Sequence, residues 1–194
     1  MRIILISAGC LAILLPAWLP NRSSVPIERG TVEMLQAILL AASAVVILGA
    51  SPYAGRYRPI CRILALGLIA AIIGEIEDFV SGVLGWPFPE GVLVAGILLL
   101  ALITALRHRR TTIDFISRLG SHAGSGLIAA ALLINYIFNI LMGSHTFWKA
   151  ALGSDFSPMV PRICKSYLEL LACYLIFIGT LGLSITMARR KESV

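Results

Sequence analysis

The sequence predicts an all-α, polytopic membrane protein, with one integral membrane domain over residues 1–194 built as a bundle of six transmembrane helices. Hydrophobic residues make up 58% of the chain and charged residues only 13%. The mean hydropathy is +0.91, which excludes an ordinary soluble domain. The apolar residues also come in long blocks, and about 20 helical residues are enough to cross the bilayer hydrocarbon.

The six predicted spans follow these blocks in order. The first, 3–20, is short enough for a signal peptide, but Ala17-Trp18-Leu19-Pro20 is a poor cleavage site, so we interpret it as an uncleaved helix. Proline, glycine or charged residues bound the others, which are 31–50, 60–84, 91–106, 123–142 and 163–187. Two shorter amphipathic segments are predicted on the membrane surface, 112–119 (with Ile113, Ile116 and Leu119 apolar) and 145–152.

Loop charges predict the orientation. Eleven Lys and Arg residues belong to the N-terminus, the second and fourth connections and the C-terminus, against five in the other three connections. Because basic loops are retained in the cytoplasm, both termini are predicted to be cytoplasmic, in a bacterial inner (plasma) membrane. The net charge is +6, but the basic residues do not form a face interleaved with aromatic residues. This distribution favours contact with membrane lipids over nucleic-acid binding.

Polar residues inside the predicted spans fall at one depth. They form pairs three or four residues apart, namely Glu33/Gln36, Glu75/Asp78, Asn135/Asn139 and Lys165/Glu169. This spacing places each pair on one helix face, and the predicted topology places every pair in the outer half of the bilayer. A charge at the bilayer centre costs on the order of 2–3 kcal/mol, so the pairs should face one another or water. We therefore predict an outward-facing polar chamber between these four spans, with 3–20 and 91–106 peripheral.

The chamber residues define the candidate site. His145 follows the fifth span just above the chamber, whereas Glu77, about 160° from Glu75 on a helical wheel, is expected to point elsewhere. The candidate catalytic residues are Glu33, Glu75, Asp78, His145 and Glu169. The candidate cavity-lining residues are Gln36, Asn135, Asn139, Arg162 and Lys165. Carboxylates and imidazole also suit a divalent metal such as zinc, manganese or iron, with Glu75, Asp78, Glu169 and His145 as ligands.

Three functions fit these residues. One is an enzyme that uses a metal or acid/base groups on a lipid-linked or membrane-partitioning substrate. Another is a small proton- or cation-coupled transporter. A transporter needs a polar path that continues to the cytoplasm, and the inner halves of the spans offer only hydroxyl groups for it. The third is an accessory or assembly subunit with a membrane-protein partner, or a homo-oligomer. Purely structural ion pairing of Lys165 or Arg162 with Glu169 or Asp78 is the alternative to a functional site.

Cysteine and glycine patterns predict packing roles. No CxxC pair occurs, so four cysteines are predicted to be small buried hydrophobes: Cys10, Cys61, Cys164 and Cys173. The glycines at the start of the fifth span lack the ending of a phosphate loop and are expected to allow close helix packing: Gly120, Gly124 and Gly126.

Overall fold

The computed structural model describes residues 29–84, 89–118, 120 and 124–191. This part of the chain is almost entirely helical and has no strand, as the apolar blocks predict. Its α-helices are α1 Arg29–Ala50, α2 Arg58–Leu84, α3 Glu90–Arg107, α4 Arg109–Ser117, α5 Ser125–Leu133, α6 Asn139–Met142, α7 His145–Leu152 and α8 Met159–Lys191. A π-helical turn, Ile134–Phe138, joins α5 directly to α6.

Five helices in the described part are long and apolar enough to cross a membrane, and they correspond to the predicted second to sixth spans. They are Thr31–Tyr53, Gly55–Glu77, Glu90–Arg107, Ser125–Met142 and Met159–Met187. The predicted first span, 3–20, lies outside the described residues. The last helix begins at Met159 rather than at 163, because Pro161 falls within its first turn, where a proline removes no helical hydrogen bond.

The long helices pack as a row. α1 lies in the middle, with α2 on one side and α8 on the other, while α3 packs on α2 and α5 packs on α8. The end helices are mostly uncovered in the described part, and Val92 of α3 and Ile140 of α6 are each 75% exposed. The helix at 91–106 is therefore peripheral, as predicted. The helix at 123–142 also lies at an edge, although it was expected to form a full wall of the chamber.

Apolar side chains join the three central helices below the level of the polar pairs. One cluster, nearer to the polar pairs, contains Leu40, Ala44, Leu68 and Cys173. The other lies nearer to the α1–α2 connection and contains Ile47, Ala54, Tyr57, Ile60, Cys61, Ala65, Phe115, Leu183 and Met187. Two of the predicted buried cysteines are therefore core residues, whereas Cys164 is only half-buried and Cys10 lies outside the described residues.

α5 begins against α8 at a pair of glycines. Gly124 has a φ of +93°, and a Cβ atom there would collide with the carbonyl oxygen of Gly179. A Cβ atom on Gly179 would lie 2.6 Å from Cγ1 of Ile128 and 2.8 Å from the carbonyl oxygen of Gly124. Close packing is thus confirmed for Gly124. The same prediction is wrong for Gly120 and Gly126, where an added Cβ would meet nothing within 4 Å.

α4 is fixed to the start of α2 by one buried ring and one carboxylate. Phe115 is 6% exposed and packs edge-on against Tyr57, with ring centroids 5.8 Å apart. Asp114 accepts hydrogen bonds from the Tyr57 hydroxyl at 2.8 Å and from Arg118 Nε at 2.9 Å, and it pairs with Arg56 at 2.8 Å. The Tyr57 hydrogen bond, helped by both guanidinium charges, holds the pKa of Asp114 below its usual range.

The glycine contact between α5 and α8 predicts a selective effect of adding one methyl group. Gly179→Ala should lower the free energy of unfolding by about 1–3 kcal/mol, because the methyl group overlaps Ile128 and the Gly124 carbonyl. Gly126→Ala is the control, since its methyl group has open space, and it should leave that free energy unchanged or raise it by up to about 1 kcal/mol. Thermal unfolding of both variants in detergent measures this, and equal effects would contradict the contact.

Candidate functional site

A cavity of about 630 Å³ lies between α1, α2 and α8 at the end of the row where α1 begins. This volume falls in the range of roughly 300–1,000 Å³ that is typical of small-molecule sites. Predicted site residues from all three helices and from α7 line it: Glu33, Gln36, Glu75, His145, Arg162, Lys165 and Glu169. Side chains chosen only for their spacing and depth therefore converge on one space.

Gln36 joins α1 to α8 beside this cavity. Its side chain is 1% exposed, and Nε2 donates a hydrogen bond to the backbone carbonyl of Ser166 at 3.3 Å. A buried amide is costly unless it is hydrogen-bonded, so this contact favours one alignment of the two helices. Ser166 was not predicted as a site residue, because a contact made by a backbone carbonyl leaves no signal in the sequence.

Glu169 has two partners beside the cavity. Asn139 Nδ2 donates a hydrogen bond to Glu169 Oε1 at 2.8 Å, and Lys165 Nζ lies 3.7 Å from the same oxygen. The Lys165–Glu169 pair that the spacing allowed is therefore present. Asn139 Oδ1 is buried and has no hydrogen-bond partner within the described part of the chain. Glu169 thus serves a structural purpose, as the acceptor that holds α6 against α8.

Glu75 differs from Glu169 in having no direct partner. Its half-buried side chain lines the cavity, and it makes no hydrogen bond or ion pair with any other described residue. The carboxylates of Glu33 and Glu169 are near enough to repel its charge, and Lys165 is near enough to attract it. A partly buried carboxylate without a hydrogen-bond donor is available to a ligand or to a proton.

Gly74 lies at the centre of the cavity face of α2. On a helical wheel it falls between Glu75, about 100° to one side, and Glu77, about 60° to the other. Both of these glutamates line the cavity, so the expectation that Glu77 points elsewhere is wrong. A Cβ atom on Gly74 would lie 3.6 Å from Glu90 Oε1, which brings the start of α3 close to this level as well.

Neither of the predicted asparagines, Asn135 and Asn139, is part of this lining. Asn135 is exposed and lines none of the cavity, because it lies in the π-helical turn 134–138. Such a turn is closed by i→i+5 hydrogen bonds and accommodates one extra residue, which shifts the helix register relative to the continuous α-helix that the prediction assumed. Asn139, after the turn, reaches Glu169 instead. The side chain of Asp78 lies outside the described residues.

α7 holds His145 at the cavity mouth. Ser144 caps this helix by accepting a hydrogen bond from the backbone N–H of Phe147 at 3.3 Å. Trp148 Nε1 donates to the carbonyl of Met142 at 2.6 Å and so ties α7 to the end of α6. The exposed His145 ring packs edge-on against Phe156, with centroids 5.9 Å apart. Its imidazole is open to water and can exchange protons with it.

The side chains do not gather as a metal site. No three His, Cys, Asp or Glu side chains in the described part lie close enough together to hold an ion. Glu75, Glu169 and His145 share the cavity wall without forming a ligand cluster. Asp78, the fourth predicted ligand, has its side chain outside the described residues, so the divalent-metal site stays a prediction.

These features define a helical protein in which five described helices could cross a membrane and three of them enclose a charged cavity. No family model matches the chain, and no curated protein or solved structure is significantly similar to it. Function is therefore inferred from the cavity itself.

The Asn139–Glu169 hydrogen bond predicts a pH-dependent loss of stability. Asn139→Asp replaces the donor with a second carboxylate at the same point, so the variant should unfold at least about 1–3 kcal/mol more easily at neutral pH. The deficit should shrink as the pH is lowered towards about 5, because one proton shared by the two carboxyls restores a hydrogen bond. Ser154→Asp is the control, because it adds a carboxylate in the exposed connection after α7, outside the candidate membrane spans, and it should change stability little. Chemical unfolding across pH measures both, and a pH-independent deficit would contradict the contact.

Proposed function

We propose that the protein lies in a bacterial inner (plasma) membrane, with both termini in the cytoplasm and the cavity facing outwards. The uneven distribution of basic residues supports this orientation. All seven basic residues of 51–118 are arginines, placed at the α1–α2 and α3–α4 ends, whereas the cavity end between 125 and 170 holds Lys149, Arg162 and Lys165. Basic loops remain on the cytoplasmic side, so the cavity end is the outer one.

We further propose that the cavity is the active site of an enzyme in which Glu75 is the general acid/base. The observation that carries this proposal is the Glu75 carboxylate, which lines the cavity and accepts no hydrogen bond from any other residue in the described part of the chain. Glu33 and Glu169 would shape its electrostatic environment, and His145 lies at the mouth of the cavity.

The lining indicates which part of a substrate enters. Charged and polar side chains predominate, and the apolar lining consists of Val32, Met159 and two prolines near the mouth. A lipid-linked or membrane-partitioning substrate would therefore place only its polar group in the cavity and leave its hydrocarbon in the bilayer. Arg162 and Lys165, one helical turn apart on α8, are suited to an anionic group of that substrate.

A proton- or cation-coupled transporter is the second candidate. Glu75 would then be the coupling site, since an intramembrane carboxylate in a water-filled space is typical of such proteins. Among the described residues, apolar clusters that join α1, α2 and α8 lie between the cavity and the arginine-rich end. Transport would therefore require these helices to separate. An accessory role is the third candidate, with a partner helix on the uncovered faces of α3 or α5.

Replacing Glu75 tests the first two candidates together. Purified protein in liposomes is given a bacterial lipid extract and a small-molecule extract. Mass spectrometry follows the products, and an entrapped dye reports the internal pH. An acid/base enzyme should lose at least about 100-fold in product formation with Glu75→Gln. Asp155→Asn changes an exposed acid of the α7–α8 connection outside the cavity, and this variant should retain product formation. Glu75-dependent pH change without product would identify a transporter instead, and no effect on either readout would contradict both.

The proposed orientation predicts which positions reach the outside of the cell. In a chain whose native cysteines are replaced by alanine, Ser154→Cys should react with a membrane-impermeant maleimide in intact cells. Ser117→Cys, also exposed and at the last residue of α4, should react only once the membrane is opened. Both positions lie in polar surface segments, so their reactivity differs only by the side of the membrane. The reverse pattern would overturn the assignment.

A further inference from the structure

The outer face of α4 carries a narrow stripe that the described part of the chain leaves uncovered. On a helical wheel Arg109, Ile113 and Ile116 fall within about 60° of one another, while Asp114 and Phe115 point to other sides. Ile113 is 65% exposed and Ile116 is 61% exposed, whereas Phe115, which anchors the helix, is buried. We call these three residues the α4 stripe. Its isoleucines were predicted to form the apolar side of this segment, and they are turned away from the protein core.

The surroundings of the α4 stripe are strongly cationic and contain only arginine. Arg58, Arg62, Arg107, Arg109 and Arg110 are exposed, and none has a hydrogen bond or ion pair with another described residue. The one acid of this end in the described part, Asp114, is already occupied by Arg56 and Arg118. Five guanidinium groups, at the start of α2 and at the α3–α4 junction, therefore have no counter-charge from the described chain. Arginine presents a planar fork that matches phosphate oxygens two at a time, which lysine does not.

We propose that the α4 stripe and its flanking arginines bind an anionic phospholipid, with the phosphate on Arg109 and Arg110 and the upper acyl chains on Ile113 and Ile116. Charge complementarity supports this occupant, because the cytoplasmic leaflet supplies anionic headgroups at the depth of a surface helix. The stripe also continues into the apolar surface of α3, where Leu106 is 64% exposed. Two isoleucines are too small a patch for a stable protein interface, which needs roughly 800 Å² from each partner.

The tethering of α4 to α2 gives this surface a fixed position. The Asp114 contacts and the buried Phe115 ring hold the helix against Tyr57, so the stripe stays at one height and one rotation relative to the spans. A preorganised surface retains a lipid better than a mobile one, because less ordering is lost on binding. The surface is separate from the cavity, and its occupation does not depend on the cavity's function.

Competition between two lipids tests the proposal. The delipidated full-length protein is titrated with phosphatidylglycerol and phosphatidylcholine of identical chains, and the retained lipids are counted by native mass spectrometry. Phosphatidylglycerol should be retained several-fold over phosphatidylcholine, and Arg109→Gln with Arg110→Gln should abolish that preference. Lys149→Glu is the matched control: it changes the net charge by the same two units at the opposite end and should keep the preference.

The apolar half of the site and the other possible occupants are tested in the same experiment. Ile113→Ser with Ile116→Ser should reduce the amount of phosphatidylglycerol retained while leaving the arginines in place. Inorganic phosphate at millimolar concentration should not displace the lipid. Equal retention of both lipids, an unchanged preference in the double arginine variant, or full displacement by phosphate would overturn the proposal. Protein dimers that disappear in the isoleucine variant would assign the stripe to a second copy of the chain instead.

Discussion

The cost of placing charge inside apolar helices organises this protein. Glu75 and Glu169 each lie in a helix that is otherwise hydrophobic enough to cross a membrane, and neither could face hydrocarbon without a penalty of several kcal/mol. The helices turn these side chains towards one another instead. What results is a polar cavity between α1, α2 and α8, in which Glu169 accepts a hydrogen bond from Asn139 and pairs with Lys165, while Glu75 makes no hydrogen bond or ion pair with another described residue.

The same constraint separates the molecule into two ends with different tasks. Towards the cavity, polar contacts such as Gln36 to the Ser166 carbonyl align the central helices and leave space for a ligand. Towards the other end, apolar clusters close the space, and α4 is fixed by Phe115 and Asp114. The two ends can therefore change independently, because the cavity and the α4 contacts share no side chains.

The sequence was informative where a single rule governs the outcome. Apolar block length identified the five described membrane-crossing helices, and spacing within a helix brought Glu33, Gln36, Glu75 and Glu169 to one cavity. The rule failed for Asn135, because a π-helical turn changes the register that the spacing assumes. It also failed for Glu77, because the centre of the α2 face is Gly74, which has no side chain to reveal it. Contacts made by backbone groups, such as the Ser166 carbonyl, have no sequence signature.

Cross-linking α1 to α8 in native membranes tests the shared cavity most directly. Cysteines placed at Gln36 and Ser166, in a chain otherwise free of cysteine, should be joined within native membranes by the shortest bifunctional thiol reagent, because both residues line the cavity and are in contact. Cysteines at Gln36 and Asn135 should not be joined, since Asn135 is exposed on an edge helix. Failure of the first pair, or equal cross-linking of both, would contradict the shared cavity.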